Sequence, residues 1–392
     1  MFLSLGDMPL ADGFISPQRL AEHDPRFPLD VAFCHDCTLV QILETVPPEQ
    51  LFDADYPYFS SVSEQLLHHS QENVNERIDD RHLGPGSLVV ELASNDGYLL
   101  QFYAAKGIPV LGIDPALAPV AAARAKGIDT LLAFFGRDLA RELKAQGRKA
   151  DVIHANNVLA HVADTNGFVE GIATLLADTG VAVIECPHVK TLIDHGEFDT
   201  IYHEHLCYFS VTAVDKLFRR HGLFLNRVEP LTIHGGSLRL FFEKQAKPGA
   251  SVQEYLQAEH ADGVDRFDYY ADFSARVRSI RTELTRLLRE LKGRNARIVG
   301  YGAAAKGTIM LNYTGIGRET LDFVVDRNAH KQGRYIPGVR LPIEPPERIL
   351  ETQPDYVLIL PWNFKDEIMS QQAEYRRRGG RFIVPVPHPA IL

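Results

Sequence analysis

The segment FDTIYHEHLCYFS, residues 198–210, brings the most reactive side chains of the chain close together. Within seven positions it holds Tyr202, His203, Glu204, His205 and Tyr208. A histidine, whose unperturbed pKa is about 6.5, can accept a proton at neutral pH. A nearby carboxylate can orient or tune that histidine, and a phenol can stabilise an oxyanion. The segment therefore indicates acid–base chemistry on a small molecule.

Two other interpretations of this segment stay open at this point. HEH could form part of a metal site, although it lacks the i, i+4 spacing of the HExxH motif. It could also be a polar loop with structural hydrogen bonds. Neither explains why so many reactive side chains follow the strand VAVIECPH, where a ligand is expected.

The elements that must position this segment are alternating strands and helices. Short apolar runs separated by helical stretches predict a parallel sheet covered by helices. The predicted strands are LVVEL (88–92), PVLGID (109–114), DVIHA (151–155), VAVIEC (181–186) and LRLFFEK (238–244). An open sheet of this kind binds its ligand at the carboxyl ends of the strands.

The first of these ends is the turn ELASNDGY, which is not a GxGxxG turn. The residues that could approach a ligand there and on the next strand are Glu91, Ala93, Asn95, Gly97 and Asp114. An acid about 20 residues after the turn can accept hydrogen bonds from ribose hydroxyls. The turn is acidic and is a poor pyrophosphate cradle, so it suits a ligand with a ribose, a positive centre and no phosphate. S-adenosylmethionine is such a ligand.

A second group of polar residues lies at the fourth-strand position, in HANNVLAHVAD. Asn156 and Asn157 follow the strand and could meet the methionine part or the purine edge of the ligand. His161 lies one helical turn further on, where it could be structural or could border the reacting group.

A second series of strands and helices begins after a helical block. Apolar residues recur at helical spacing in residues 250–292, which predicts one or two amphipathic helices that connect two domains. From Arg297 the pattern repeats as RIVGYGAAAKG, LDFVVD, DYVLIL and RFIVPV. The turn GYGAAAKG is a weak signal that, taken alone, would suggest an NAD-dependent enzyme with Asp326 as the ribose acid.

Composition limits the function classes. The chain has 392 residues with 41 basic and 51 acidic side chains, a net charge of −10, which argues against a nucleic-acid binder. It has no long apolar run that predicts a membrane span, and its N-terminus does not resemble a secretory signal. Four cysteines are too few for a disulfide framework, so we expect a cytoplasmic protein. The first 85 residues, rich in proline, look irregular.

In these motifs the chain resembles the S-adenosylmethionine-dependent sugar C-methyltransferases, typified by the tetronitrose C-3 methyltransferase. The resemblance runs through nearly the whole chain. It is carried by LGDMPLADGF, FPLDVAFCHDCTLVQ, DADYPYFSS, ELASNDGYLL, GIDP, NNVLAHV, IYHEHLCYFS, GYGAAAKG, DRNAHKQGRYIPG and ILPWNF.

The resemblance implies an α/β fold. A class I methyltransferase Rossmann-like domain would be joined by a second, C-terminal Rossmann-like domain and a small irregular N-terminal lobe. The predicted division is a lobe with a partial zinc-binding motif (1–85), a methyltransferase domain (86–245), a helical connector (246–294) and a nucleotide-sugar-binding domain (295–392).

The resemblance also implies residue roles. His205 would be the general base, and Glu204 and Tyr202 would orient it or stabilise an enolate. His161, Tyr56 and Tyr58 would border the reacting sugar. S-adenosylmethionine would be held by the turn, by Asp114 and by Asn156 or Asn157. Apart from the resemblance, the turn with Gly302 and Lys306 could hold the nucleotide diphosphate of the sugar, with Lys331 and Arg334 extending that pocket, or it could serve merely to fold a Rossmann-like half.

The N-terminal lobe departs from the family pattern. Family members bind zinc through two CxxC pairs, and this chain has only the second, Cys34 and Cys37. A tetrahedral zinc site needs four ligands. Either the start is truncated relative to the family or the site has been lost, so zinc is a doubtful cofactor.

The sequence thus predicts an S-adenosylmethionine-dependent C-methyltransferase acting on a nucleotide-linked keto-deoxysugar. The alternatives are an O- or N-methyltransferase on a sugar nucleotide, an NAD-dependent oxidoreductase, and a nucleotide-sugar-binding protein without activity. The oligomeric state, the methylated carbon and the nucleotide are not predicted.

Overall fold

The structure is a computed structural model that describes residues 1–47, 59–232 and 236–392. Three β-sheets organise these residues: a small antiparallel sheet, a central sheet of seven strands and a C-terminal sheet of six strands.

The small sheet joins the start of the chain to the segment that carries the histidines. Its strands are β1 (Leu3–Pro9), β2 (Arg26–Phe33), β3 (Val40–Ile42) and β9 (Cys207–Tyr208). They lie in the order β1-β2-β3-β9, and Val40 pairs with Tyr208. The N-terminal lobe therefore fixes the chain two residues beyond His205.

The N-terminal residues are more regular than their proline content predicted. Besides the three strands they form helix α1 (Glu64–Arg81), whose N-cap Ser63 accepts a hydrogen bond from the N–H of Leu66. The expectation of an irregular lobe was wrong here. The cause is that α1 is mostly polar and has no clear apolar stripe, so periodicity gave little sign of it.

The central sheet has the strand order β10-β11-β8-β7-β4-β5-β6. If these seven strands are numbered along the chain from β4 and the sheet is read from β6 to β10, the order is 3-2-1-4-5-7-6. The seventh strand, β11, is antiparallel to both of its neighbours. Its strands are β4 (Val89–Leu92), β5 (Val110–Asp114), β6 (Thr130–Leu132), β7 (Ala150–Asn156), β8 (Leu176–Pro187), β10 (Phe224–Leu231) and β11 (Ser237–Glu243). This order confirms the predicted class I methyltransferase fold.

Helices cover both faces of the central sheet because their crossovers connect parallel strands. They are α2 (Leu100–Ala104), α3 (Leu117–Ala125), α4 (Arg137–Ala145), α5 (Thr165–Leu175), α6 (Val189–His195) and α7 (Val211–Arg219). Between α6 and β9 the chain makes a short 3-10 turn, Phe198–Thr200, which leads into the histidine segment.

Two helices connect the sheets, as the periodicity predicted. They are α8 (Ala250–Asp262) and α9 (Phe273–Lys292). The buried stripe of α9 includes Val277, Ile280 and Leu284. The ring of Phe273 lies 6.3 Å from that of Phe2, so α9 packs on the beginning of the chain.

The C-terminal sheet has the order β14-β13-β12-β15-β16-β17, parallel except for its last strand. Its strands are β12 (Ile298–Tyr301), β13 (Val324–Val325), β14 (Ile343–Glu344), β15 (Tyr356–Ile359), β16 (Arg381–Val384) and β17 (Ala390–Ile391). Its helices are α10 (Ala305–Thr314), α11 (Glu347–Thr352), α12 (Lys365–Gln371) and α13 (Ala373–Arg377).

The carboxyl edge of this sheet faces the rest of the molecule. Helix α10, which follows β12, packs against the turn Phe198–Thr200: the ring of Tyr313 lies 5.2 Å from that of Phe198. The hydroxyl of Thr308 donates to the carbonyl of Ala11 at 2.9 Å. The edge that would bind a ligand in an isolated Rossmann-like unit is therefore partly covered by protein. Within the described ranges, no helix is long and apolar enough to cross a bilayer.

Candidate active site

The turn after β4 is built from left-handed backbone positions. Ala93, Asn95 and Gly97 have φ values of 55°, 48° and 75°. A Cβ on Gly97 would lie 3.1 Å from Cγ1 of Ile128, so the turn packs closely against the chain just before β6. These conformations let the backbone fold tightly at the sheet edge.

Asp114, at the end of β5, is anchored to this turn. Its Oδ2 accepts from the N–H of Asn95 at 2.9 Å, and its Oδ1 accepts from the N–H of Ala116 at 2.8 Å. A carboxylate oxygen can accept more than one hydrogen bond, so both oxygens keep capacity for a ligand. The sequence correctly placed Asp114 beside the turn.

Glu91 and Asp114 are both buried at this edge. Burial raises the pKa of Glu91 well above its usual range, and a hydrogen bond from Tyr98 opposes the rise. Burial also raises the pKa of Asp114, while the two backbone hydrogen bonds oppose that rise. A ligand that brings hydrogen-bond donors or a positive charge would restore the charged forms.

Asn156 and Asn157 lie at the end of the neighbouring strand, β7. Asn157 has a left-handed φ of 53°, and its N–H donates to the carbonyl of Glu185 at 2.7 Å. In the part of the chain that the structure describes, the side-chain oxygens of both asparagines are buried without a hydrogen-bond partner. Because such atoms are costly, they mark a place for a ligand.

The segment before α1 covers the turn, a position that the motif DYPYFSS alone did not reveal. The N–H of Ser60 donates to Oδ1 of Asn95 at 2.9 Å, and the Ser61 hydroxyl donates to Asp96. Phe59 lies 6.2 Å from the ring of His330, so the segment reaches the C-terminal half. The only sequence sign was the motif DYPYFSS. Its tyrosines, Tyr56 and Tyr58, lie outside the described residues.

His205 is held at both ring nitrogens. Nδ1 lies 2.9 Å from the carbonyl oxygen of Thr200, and Nε2 lies 2.9 Å from the hydroxyl of Tyr202. Because a carbonyl only accepts, Nδ1 carries the proton, and Nε2 of the neutral ring accepts from Tyr202. This is the tautomer in which Nε2 can act as a base.

His161 lies beside His205. Its ring lies 4.8 Å from that of His205. Burial lowers the pKa of His161 to about 4, with a backbone hydrogen bond at Glu204 opposing. His161 is therefore neutral at physiological pH and brings no positive charge against a protonated His205.

Glu204 faces away from water and toward the start of the chain. Burial raises the pKa of Glu204 to about 8, and the nearby carboxylate of Asp12 adds to the rise. Burial likewise raises the pKa of Asp12, although Lys331 opposes it. A protonated Glu204 is a hydrogen-bond donor at neutral pH, which differs from the orienting carboxylate that the sequence suggested.

His203 does not join the site. Its Nε2 lies 3.2 Å from the carbonyl oxygen of Pro28, and its ring packs against Phe27 at 5.8 Å. His203 and His205 thus contact different parts of the protein. In the described ranges, no three His, Cys, Asp or Glu side chains are placed to hold a metal ion.

The zinc ligands implied by the family are only half present. Cys34 and Cys37 form a turn in which the N–H of Thr38 donates to the carbonyl of Cys34 at 2.9 Å. Hydrogen bonds from the turn lower the pKa of Cys34, whereas burial raises that of Cys37. His35 packs between Phe33 and Phe267 instead. Two thiols do not make a tetrahedral zinc site.

The second glycine turn, after β12, is closed by protein. A Cβ on Gly302 would lie 2.4 Å from Cδ of Pro361, and a Cβ on Gly307 would lie 3.0 Å from Leu360. Asp326 accepts from the N–H groups of Ala303 and Asn328, both at 2.7 Å. The glycines here allow close packing, and the carboxylate of Asp326 accepts hydrogen bonds from the backbone of the neighbouring loops.

The four residues predicted to meet a nucleotide differ in their contacts. The space beside Gly302 is occupied by Pro361, and Nζ of Lys331 donates to the carbonyl of Ala303 at 2.8 Å. Arg334 is partly exposed in the loop after Lys331. Nζ of Lys306 is buried 4.7 Å from the ring of Trp362 and lacks a hydrogen-bond partner in the described ranges. Among these four described residues, only Lys306 has a buried side-chain atom without a hydrogen-bond partner.

Three family models match the chain in succession. The model described as "Putative zinc binding domain" covers residues 1–52, the "Methyltransferase domain" model covers 66–226, and the "C-methyltransferase C-terminal domain" model covers 232–387.

Among known proteins, the chain is similar to the C-methyltransferase NovU of Streptomyces niveus. The two are 33% identical over 397 residues, which is 100% of this chain and 93% of that protein. The chain belongs to the C-methyltransferase family.

More distant similarities are confined to part of the chain. A ubiquinone biosynthesis O-methyltransferase of Rhodopseudomonas palustris is 28% identical over 99 residues, 25% of this chain and 39% of that protein. The solved magnesium protoporphyrin IX methyltransferase of Synechocystis with bound SAM is 17% identical, with a TM-score of 0.35 over 46% of this chain and 79% of that one. The PH0226 protein of Pyrococcus horikoshii is 13% identical, with a TM-score of 0.38 over 48% and 95%.

Proposed function

We propose that this C-methyltransferase uses S-adenosylmethionine to methylate a carbon next to the ketone of a nucleotide-linked keto-deoxysugar. The observation that carries the proposal is the arrangement of His205. Its Nδ1–H is fixed on the carbonyl of Thr200, and its Nε2 accepts from Tyr202. A carbon next to a ketone becomes a nucleophile when a base removes its proton to form the enolate, and this arrangement provides such a base.

The residues of the first turn fit S-adenosylmethionine. The carboxylate of Asp114 is held by two backbone N–H groups and keeps lone pairs for the ribose hydroxyls. The amide oxygens of Asn156 and Asn157 lack partners in the described ranges and would accept from amino groups of the ligand. When bound, S-adenosylmethionine supplies an electrophilic methyl group on a positively charged sulfur. The acidic residue Glu91 lies at the same edge and suits that charge.

The proton transfer follows from the hydrogen bonds of His205. Nε2 takes the proton from the carbon next to the ketone, and the Nδ1–H bond to Thr200 stabilises the imidazolium that forms. The Tyr202 hydroxyl, released from Nε2, donates to the enolate oxygen. Glu204 is protonated near neutral pH because of burial and adds no negative charge to this region. His161 stays neutral and avoids repulsion with His205.

The C-terminal half would receive the nucleotide part of the substrate. Nζ of Lys306 is the buried cation that lacks a hydrogen-bond partner in the described ranges. A diphosphate oxygen would supply that partner. Lys331 and Arg334 would extend the proposed pocket, whereas Gly302 packs against Pro361 and serves to close the turn.

Two observations favour this function over the alternatives. An NAD-dependent oxidoreductase needs an open turn for a pyrophosphate, and Pro361 fills that place beside Gly302. Membership of the C-methyltransferase family also argues against an NAD-dependent oxidoreductase. O- or N-methylation forms no enolate, so the Tyr202 hydroxyl beside His205 would have no oxyanion to stabilise.

We also propose the four-part division of the chain at 1–85, 86–245, 246–294 and 295–392. A cytoplasmic location accords with the four cysteines, none of which forms a disulfide.

The test is mass spectrometry of nucleoside diphosphate 4-keto-6-deoxyhexoses incubated with the protein and S-adenosylmethionine. We expect one sugar of the panel to gain the mass of one CH₂ group on a carbon, and His205→Ala to abolish the gain. Methylation on oxygen or nitrogen, or a full rate in His205→Ala, would contradict the proposal. Parallel titrations with S-adenosylmethionine and NAD should show binding of the first alone.

A further inference from the structure

The 3-10 turn Phe198–Thr200 lies between the catalytic segment and the C-terminal half. Phe198 is fully buried, and its ring packs on Tyr313 of α10. The next residue, Asp199, is also fully buried, and its Oδ2 accepts from the indole N–H of Trp362 at 2.8 Å. Two consecutive residues of the turn are thus held by side chains of the C-terminal half.

Side chains of the C-terminal half favour the ionised form of the buried Asp199 carboxyl group. Burial raises the pKa of Asp199 to about 6, while Lys306 and the hydrogen bond from Trp362 oppose the rise. Nζ of Lys306 lies over the Trp362 ring at 4.7 Å. At neutral pH the buried carboxylate therefore depends on partners from the C-terminal half to keep its charge and its place.

The third residue of the turn holds the base. The carbonyl of Thr200 accepts from Nδ1–H of His205 at 2.9 Å. The turn is closed by hydrogen bonds from the N–H of Thr200 to Glu197 and from the N–H of Ile201 to Phe198. Because these bonds make the turn short and stiff, the position of Asp199 sets the direction of the neighbouring carbonyl.

We propose that Asp199, held by Trp362, is a positioning residue for His205. Through it, the docked C-terminal half sets the tautomer of the base. This inference rests on the proposed function, in which His205 removes a proton from carbon. It adds that the C-terminal half contributes to the proton transfer itself as well as binding substrate.

The physical consequence of losing the contact is specific. If the Thr200 carbonyl turns away, Nδ1–H of His205 loses its acceptor, and the ring can carry its proton on Nε2 instead. That tautomer has no lone pair toward the substrate. The imidazolium would also lose a stabilising hydrogen bond, so the acidic limb of the rate profile should move to lower pH.

The experiment compares four variants of the full chain. Trp362→Phe keeps an aromatic ring and removes the donor. Asp199→Leu removes the acceptor, and Asp199→Asn keeps an acceptor of the same shape. Asp24→Asn is the matched control. It weakens another carboxylate contact between the N-terminal lobe and the C-terminal half, made with Arg340 and Gly338.

Two readouts are used. The first is the pH profile of kcat on the keto sugar that the wild type methylates, with KM for S-adenosylmethionine. The second needs no substrate. Nitrogen-15 NMR of histidine-labelled protein reports the tautomer of His205, whose signals are identified by their loss in His205→Gln.

We expect Trp362→Phe and Asp199→Leu to lower kcat about 10-fold, with KM for S-adenosylmethionine little changed. The profile should shift to lower pH, and the Nε2–H tautomer should appear. Asp199→Asn and Asp24→Asn should behave like the wild type.

The inference is overturned if Trp362→Phe keeps the wild-type tautomer and pH profile, or if Asp24→Asn changes both equally. Failure of the proposed function looks different, because a wild type without methyl transfer would leave the NMR result on the tautomer intact. If Asp199→Leu fails to fold, Trp362→Phe decides the matter alone.

Discussion

The molecule contains two turns that begin in the same way, with a strand, a turn of small residues and a helix, yet they are used differently. The turn after β4 holds Asp114 at its rim and lies beside asparagine oxygens that lack partners in the described ranges. The turn after β12 is filled by Pro361 at Gly302, and Asp326 binds its own loops. Small residues in such a turn therefore indicate that another group approaches the backbone closely. The residues that follow the neighbouring strands determine whether that group is a ligand or a part of the protein.

The largest effect that separates the two turns concerns packing at Gly302. Gly302→Ala should lower the free energy of unfolding by about 3 kcal/mol, because it adds a left-handed φ penalty to a Cβ that overlaps Pro361. Chemical denaturation measures this. Gly333→Ala is the control, since Gly333 has φ +76° and nothing within 4 Å of its Cβ position. Equal losses in the two variants would contradict the closed second turn.

A matched pair of acids compares the ligand-binding capacity of the turns. Asp114→Asn should weaken S-adenosylmethionine binding by about 10- to 100-fold, because charge-assisted hydrogen bonds contribute about 1.5–3 kcal/mol. Asp326→Asn should leave that affinity unchanged. Isothermal titration calorimetry measures both. A loss of affinity in Asp326→Asn as large as in Asp114→Asn would contradict the assignment of S-adenosylmethionine to the turn after β4.

The pH dependence of the free energy of unfolding tests the raised pKa of Glu204. Burial raises its pKa from 4.5 to about 8. Between these values the folded chain binds more protons than the unfolded chain, so the neutral form stabilises the fold at low pH and this contribution is lost as pH rises toward 8.

Glu204→Gln removes that titration. Its free energy of unfolding relative to the wild type should rise by at most about 1.4 kcal/mol per pH unit up to pH 8 and then level off. Urea denaturation at several pH values measures the difference. A difference that is constant with pH would show that Glu204 titrates normally.

The local parts of the site could be predicted from the sequence. The tight turn, Asp114 at the next strand end and the grouping of Tyr202 with His205 follow from short-range spacing and strand order. The contacts that complete the site could not. Ser60 meets Asn95 from 35 positions away, and Trp362 meets Asp199 from 163 positions away.

The same limit applies to β9 and to Glu204. A strand of two residues that pairs with β3 has no pattern of its own, yet it joins the histidine segment to the N-terminal lobe. The raised pKa of Glu204 comes from burial against Asp12, which no spacing rule relates to it. Such effects arise from tertiary packing.

In the proposed reaction, His205 removes a proton from a carbon next to a ketone. The direct measurement is exchange of that proton in deuterated water, followed by NMR of a nucleoside diphosphate 4-keto-6-deoxyhexose with the wild type and with His205→Ala. We predict exchange with the wild type and a rate lower by about 10³-fold in His205→Ala. Exchange at the wild-type rate in His205→Ala would contradict the claim.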